Sequence, residues 1–183
     1  MIKLLDLLKE NSPSNYDFGC AMLDFSFPEM DNIHQLIKKE DIYTEEGPQT
    51  YGLEDEPHCT LLYGLHKEVN VKEVEKALDK FTYYTCKIHN PSLFKNEKYD
   101  VLKFEVKGDN LKETNSELKK LPHTSNFPDY KPHLTIGYLK SGKGEKYVKL
   151  LKDKEMDEFE LAPQQVTYSS PDNKKTKLNI KID

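Results

Sequence analysis

KPHLTIGYLK (Lys131–Lys140) repeats in outline a stretch from the first half of the chain, EPHCTLLYGL (Glu56–Leu65). The shared pattern is Pro-His-x-Thr, then an aliphatic residue, any residue, and Tyr. It runs from Pro57 to Tyr63 and again from Pro132 to Tyr138. Each copy reads as a β-strand that opens at its histidine. Successive side chains of a strand point to opposite faces. His58, Thr60 and Leu62 are therefore expected on one face, with Cys59, Leu61 and Tyr63 on the other. In the second copy His133, Thr135 and Gly137 oppose Leu134, Ile136 and Tyr138. The largely apolar set suits packing beneath helices, which leaves histidine and threonine to line an open surface.

The flanking sequence has the same order of elements in both halves. Phe18–Phe25 reads as a strand. A helix follows Pro28, with Met30, Ile33, Leu36 and Ile37 at helical spacing. After a polar loop and the first histidine strand, Val71–Phe81 is helical and YYTCKIHNPSLF is extended. The second half begins with a strand at Tyr99–Val106 and a helix carrying Leu111, Leu118 and Leu121. Another polar loop leads to the second histidine strand, a helix in GEKYVKLLKDK and closing strands around the turn signal SPDNKK. Outside the quoted motif the halves share little sequence, so duplication rests on the motif and on element order. The expectation is an α+β fold in one domain over residues 1–183, with residues 1–15 as an amphipathic surface helix.

Composition narrows the function. The formal net charge is −5, so a broad basic face for long nucleic acid is not expected. All 27 basic residues are lysines, which removes the bidentate guanidinium clamp as a phosphate ligand. A phosphate site must use lysine, histidine, hydroxyls or backbone N–H groups. No run approaches the roughly 18 apolar residues of a membrane span. The three cysteines, Cys20, Cys59 and Cys86, match no zinc spacing and read as reduced core thiols, which points to the cytoplasm. No His-Glu-x-x-His is present, and no metal or other cofactor is expected.

Two such strands placed side by side would bring two imidazoles and two hydroxyls together. A neutral imidazole can take a proton from an attacking hydroxyl, and a protonated one can give a proton to the departing oxygen. The threonine hydroxyls can donate to non-bridging phosphate oxygens. That is phosphodiester chemistry without a metal. His34, His66, His89 and His123 read as surface or loop residues, and Cys59 as a packed thiol.

At these residues, HCTL at His58 and HLTI at His133, the chain resembles the 2H phosphoesterase superfamily. GLEDEPHCTLLYGLH, SLFKNEKYDVLKFEV and YKPHLTIGYL resemble its phage branch, the anti-CBASS cyclic-oligonucleotide phosphodiesterases. The resemblance implies two pseudo-symmetric lobes, with antiparallel sheets around a concave central cleft and helices outside. It assigns His58, Thr60, His133 and Thr135 to catalysis. It implies metal-independent cleavage of 3′–5′ bonds in cyclic di- or trinucleotide immune signals, in a host cytoplasm, by a monomer or weak oligomer. Phe94 is the first candidate for stacking a base. Tyr130 and Tyr51, in the loops before the motifs, are further candidates. Asp129, Lys131, Ser169 and Lys174 are candidates for contact with ribose, base or phosphate. An RNA-end enzyme acting on 2′,3′-cyclic phosphates or 2′–5′ linkages is the enzymatic alternative, and a non-catalytic nucleotide sponge is the other.

Overall fold

The computed structural model describes residues 18–45, 51–125, 127 and 129–183, and the helix expected at residues 1–15 lies outside them. The described elements are β1 (Gly19–Phe25), α1 (Met30–Leu36), β2 (His58–Leu65), α2 (Val71–Leu78), β3 (Thr82–Tyr83), β4 (Cys86–Lys95) and β5 (Tyr99–Lys107). Then come α3 (Leu111–Leu118), β6 (His133–Lys140), α4 (Glu145–Asp153), β7 (Glu158–Leu161), β8 (Pro163–Ser169), β9 (Lys175–Leu178) and β10 (Lys181–Ile182). Helix α1 stops before Ile37, which turns to extended backbone and buries its side chain. The next N–H, of Lys38, is donated to the Tyr147 hydroxyl instead of continuing the helix.

Eight strands form one antiparallel sheet in the order β7-β4-β5-β6-β2-β1-β8-β9. The two histidine strands are therefore neighbours at its centre. A separate pair, β3 and β10, is parallel. The sheet is amphipathic in the way the alternation predicts. Leu178, Val166, Leu23, Cys59, Leu134 and Phe104 follow one another across the strands and are all buried. This apolar face shares one core with Met30 and Ile33 of α1, Val74 and Leu78 of α2, Leu111 and Leu118 of α3, and Tyr147 and Leu151 of α4. Burying that surface removes apolar area from water at roughly 25 cal/mol per Å².

Both histidine strands depart from strict alternation at the same motif position. Ala21 faces Leu62 while Met22 faces Thr60, so Leu61 is an extra residue in β2. Leu102 faces Gly137 while Lys103 faces Thr135, so Ile136 is an extra residue in β6. These are β-bulges, and each slips the side-chain phase by one. Leu62 is therefore buried instead of standing beside Thr60, contrary to the alternation read from sequence.

The two bulge carbonyls are served by side chains of helices. Asn115 of α3 donates from Nδ2 to the Leu61 oxygen at 2.7 Å. His34 of α1 donates from Nε2 to the Ile136 oxygen at 3.1 Å, so it is not the free surface residue expected from sequence. Beyond the bulges β2 and β6 take other partners. The Glu54 N–H donates to Ile136 O and the Tyr138 N–H to Gly52 O, which lays residues 51–54 against β6. The Thr124 N–H donates to Gly64 O and the His66 N–H to Pro122 O, which lays residues 122–124 against β2. Gly64 has φ +115, and a Cβ there would collide with the Thr124 carbonyl, so only glycine fits this crossing.

Candidate active site

β2 and β6 pair antiparallel at Cys59–Leu134. In such a ladder the neighbours of a facing pair also face one another. His58 thus stands beside Thr135, and His133 beside Thr60, on the face opposite the buried Cys59 and Leu134. The histidines are diagonal neighbours across the ladder, at roughly 7–8 Å. That separation leaves room for one phosphate between them.

The two rings are held alike. His58 Nδ1 lies 2.7 Å from the Glu56 carbonyl oxygen, and His133 Nδ1 lies 2.8 Å from that of Lys131. A carbonyl only accepts, so each Nδ1 carries the hydrogen and each neutral ring keeps its lone pair on Nε2. The residue between acceptor and histidine is a proline in both copies, Pro57 and Pro132. Its locked φ limits the freedom of the carbonyl that orients the ring. The proline carbonyls themselves accept from Phe25 N–H at 2.9 Å and Val106 N–H at 3.0 Å, which ties each motif to its outer neighbour strand.

The adjoining strands extend the polar face. Asp24 faces His58, and its Oδ2 accepts from Gln165 Nε2 at 2.9 Å and from Thr167 Oγ1 at 2.5 Å. Glu105 faces His133 and accepts from Asn90 Nδ2 at 2.7 Å. Lys103 faces Thr135 and donates to Ser92 Oγ at 2.8 Å. Burial holds the His133 imidazole below its ordinary range, opposed by the bond to the Lys131 carbonyl and aided by the charges of Lys103 and His58. Burial also lowers Lys103. Burial pushes the Cys59 thiol up to about 12, which makes it a poor nucleophile.

A cleft of about 430 Å³ opens beside His58, within the range of small-ligand sites. Its walls include Asp24, Glu56, Gln165, Thr167, Lys175 and Lys177. Lys175 and Glu56 form an ion pair at its edge.

The structure sorts the residues singled out from sequence. Phe94 is 39% exposed, and its ring meets that of His133 edge to face at 4.9 Å. Lys131 and Asp129 are exposed just before β6. Tyr130 is turned the other way: its hydroxyl donates to the Thr60 carbonyl at 3.0 Å and its ring packs on the core. It supports β2 from behind and does not offer a free stacking face. Tyr51 belongs to a cluster with Tyr43, Tyr99 and Tyr138, whose rings lie 5.0–5.4 Å from its own. Ser169 is buried on β8, and Lys174 is exposed in the turn after it. Neither lines the cleft beside His58; Gln165, Thr167, Lys175 and Lys177 do. The sequence reading missed Asp24, Lys103, Glu105, Gln165 and Thr167. The alternation in VLKFEV puts Lys103 and Glu105 on one face, but only the pairing with β6 places that face beside the histidines.

Among the described residues no group of three or more His, Cys, Asp or Glu side chains stands close enough to hold a metal ion. Among them, too, no helix is long and apolar enough to cross a membrane.

The paired histidines and threonines, on the open face of this sheet, have the arrangement of a two-histidine phosphoesterase. The chain belongs to the family of the anti-CBASS protein Acb1, whose family model matches residues 26–163. The structure is similar to that of Usb1 from Kluyveromyces marxianus, with a TM-score of 0.55 at 12% identity, covering 88% of this chain and 97% of that one. The same protein with uridine monophosphate gives a TM-score of 0.51 at 12% identity, covering 88% of this chain and 98% of the other. At that identity the likeness concerns the fold. No curated protein matches the sequence.

Proposed function

We propose that the chain is a phosphodiesterase that cleaves 3′–5′ bonds of cyclic di- and trinucleotide immune signals, with His58 and His133 as its acid–base pair. One Nε2 takes a proton from the attacking oxygen as the new O–P bond forms. The other Nε2–H gives its proton to the 5′-oxygen as the old P–O bond breaks. Thr60 and Thr135 donate to the non-bridging oxygens of the phosphate held between the rings. If the nucleophile is the ribose 2′-hydroxyl, the product ends in a 2′,3′-cyclic phosphate; if it is water, in a plain phosphate.

The observation that carries this reading is the crossed square of two histidines and two threonines, with each imidazole oriented by the same i−2 carbonyl. Family membership supports the substrate class. The strand order supports the two-lobe reading: a pseudo-two-fold between β2 and β6 would relate β1 to β5, β8 to β4 and β9 to β7. The matched bulges at Leu61 and Ile136 support it further. On this reading Phe94 stacks a base, Lys131 and Asp129 flank the ligand, and the protein acts in a host cytoplasm as a monomer or weak oligomer.

The test is incubation of the purified protein, in excess chelator, with a panel of cyclic di- and trinucleotides. Linear 2′–5′ oligomers and cyclic-phosphate RNA ends serve as comparison, with products read by mass spectrometry. Cleavage of the cyclic nucleotides, faster than of the linear substrates, is the expected result. Ligand returned intact after denaturation would leave only a sponge.

A further inference from the structure

We propose that Lys103 breaks the equivalence of the two histidines, making His133 the base that receives the proton of the nucleophile and His58 the acid that protonates the leaving oxygen. The inference rests on the two-histidine reading above and deepens it.

Lys103 is the one buried lysine among the described residues, 6% exposed. A buried ammonium normally sits against a carboxylate. This one forms no ion pair with any described carboxylate. Its Nζ is held by the neutral Ser92 hydroxyl and lies 4.6 Å from the centre of the Phe94 ring. The Phe94 ring in turn meets His133. The cation is thus fixed under the residues that flank one imidazole.

The other half of the site has no lysine at the equivalent register; the lysines of the cleft beside His58 are Lys175, which is paired with Glu56, and Lys177. Lys103 faces Thr135 on β6, and the residue that faces Thr60 on β2 in the same way is Met22. Among the remaining charged groups around His133, Glu105 stands directly across from it, its carboxylate bonded to the neutral Asn90 amide, and its charge acts on Lys103 as well; the charges that act on the His133 ring are those of Lys103 and His58, and both lower it. His89 follows Glu105 across the sheet on β4, Lys131 lies two residues before His133 in the segment that leads into β6, and His58 is the diagonal neighbour on β2. Lys131 and His58 add only positive charge.

A fixed positive charge disfavours a second one close by. When a phosphate enters with one proton shared between two imidazoles, that proton resides on His58, away from Lys103. His133 then presents a free Nε2 lone pair to the attacking hydroxyl. The new O–P bond forms on the His133 side, its proton passes to His133, and the P–O5′ bond breaks on the His58 side, where the Nε2–H proton passes to the departing oxygen. The leaving nucleotide is directed to the cleft beside His58. Lys103 acts through His133 and is a positioning residue.

The experiment is the pH dependence of kcat/KM on a cyclic dinucleotide for the wild type, Lys103→Met and Lys103→Arg. Methionine is the residue the other half carries at this position, and arginine keeps the charge. Lys103→Met is expected to move the acid limb up by roughly one pH unit. At about pH 6 it should lose several-fold to tenfold in rate, with less loss at higher pH. Lys103→Arg should leave the limb where it is. An unmoved limb in Lys103→Met, or equal shifts in both variants, overturns the proposal. His58→Ala and His133→Ala are run beside them. If those are inactive while Lys103→Met keeps the wild-type limb, only the role of Lys103 falls; if those cut normally, the two-histidine reading falls and the proposal with it. NMR titration of the His133 ring gives the answer without turnover: it must titrate higher in Lys103→Met than in the wild type, and an unchanged value overturns the proposal.

Discussion

His58 and His133 are oriented by matching bonds, Nδ1 to the carbonyl two residues back, at 2.7 and 2.8 Å. Neither ring spends its Nε2 on that bond. On the proposed mechanism each ring keeps its Nε2 for proton transfer, and each is needed once per turnover. His58→Ala and His133→Ala are each expected to lower kcat by roughly 10²–10⁴-fold. Binding of the cyclic dinucleotide, measured by calorimetry, should change much less. A variant that keeps more than about a tenth of the wild-type rate would remove that histidine from the mechanism.

The aromatic candidates separate by what their rings touch. Phe94 is exposed beside His133, whereas Tyr130 spends its hydroxyl on the Thr60 carbonyl. Stacking on a base is worth roughly 1–3 kcal/mol. Phe94→Ala should therefore raise KM about tenfold or more, with stability little changed. Tyr130→Phe should instead lower stability by about 1 kcal/mol, the value of one hydrogen bond, and leave KM near the wild type. The reverse pattern in steady-state kinetics and urea melts would exchange their roles.

The sequence carried the centre of the site because strand periodicity and a repeated tetrad are both local. Pro-His-x-Thr predicts which side chains leave the sheet together; Cys59 and Leu134, between histidine and threonine in each copy, face one another and are buried. What it did not carry depends on pairing between distant strands. The bulges at Leu61 and Ile136 arise from registry against β1 and β5; Gly137 adjoins the second, but no residue of such a kind marks the first. Lys103 and Glu105 read as ordinary strand residues until β6 is laid beside β5. Ser169 and Lys174, candidates from sequence, flank the turn between β8 and β9. The residues that line the cleft are their neighbours along β8 and β9, and that offset is a matter of register. Tyr130 lies in the loop before β6, and a loop position does not fix the direction of its ring.

The bulge carbonyls give an unequal pair of stability tests. Asn115 donates to the Leu61 carbonyl, while the Ile136 carbonyl accepts from both His34 and the Glu54 N–H. Leaving a buried acceptor unpaired costs about 1–3 kcal/mol. Asn115→Ala should lose that amount in urea unfolding, and His34→Ala distinctly less, since one donor remains. The slope of free energy with denaturant should stay constant, so that the midpoint reports stability alone. Equal losses would mean that the Glu54 bond does not hold when His34 is removed.

The half-buried His133 makes a further prediction for stability against pH. Its folded value lies below the ordinary 6.5, first through burial and then through the charges of Lys103 and His58. The unfolded chain, with an ordinary imidazole, binds the proton first as pH falls. The stability held by keeping His133 neutral is therefore fully present above about pH 6.5 and is lost as pH drops toward the folded value. His133→Gln cannot titrate and should lose less in melting temperature than the wild type between about pH 7.5 and about pH 5. Carboxylates protonating over the same range affect both proteins alike, so the difference between the two curves isolates the imidazole. Parallel curves would mean that neither burial nor the charge of Lys103 lowers the ring in the folded protein, and would remove the bias toward a neutral base with them.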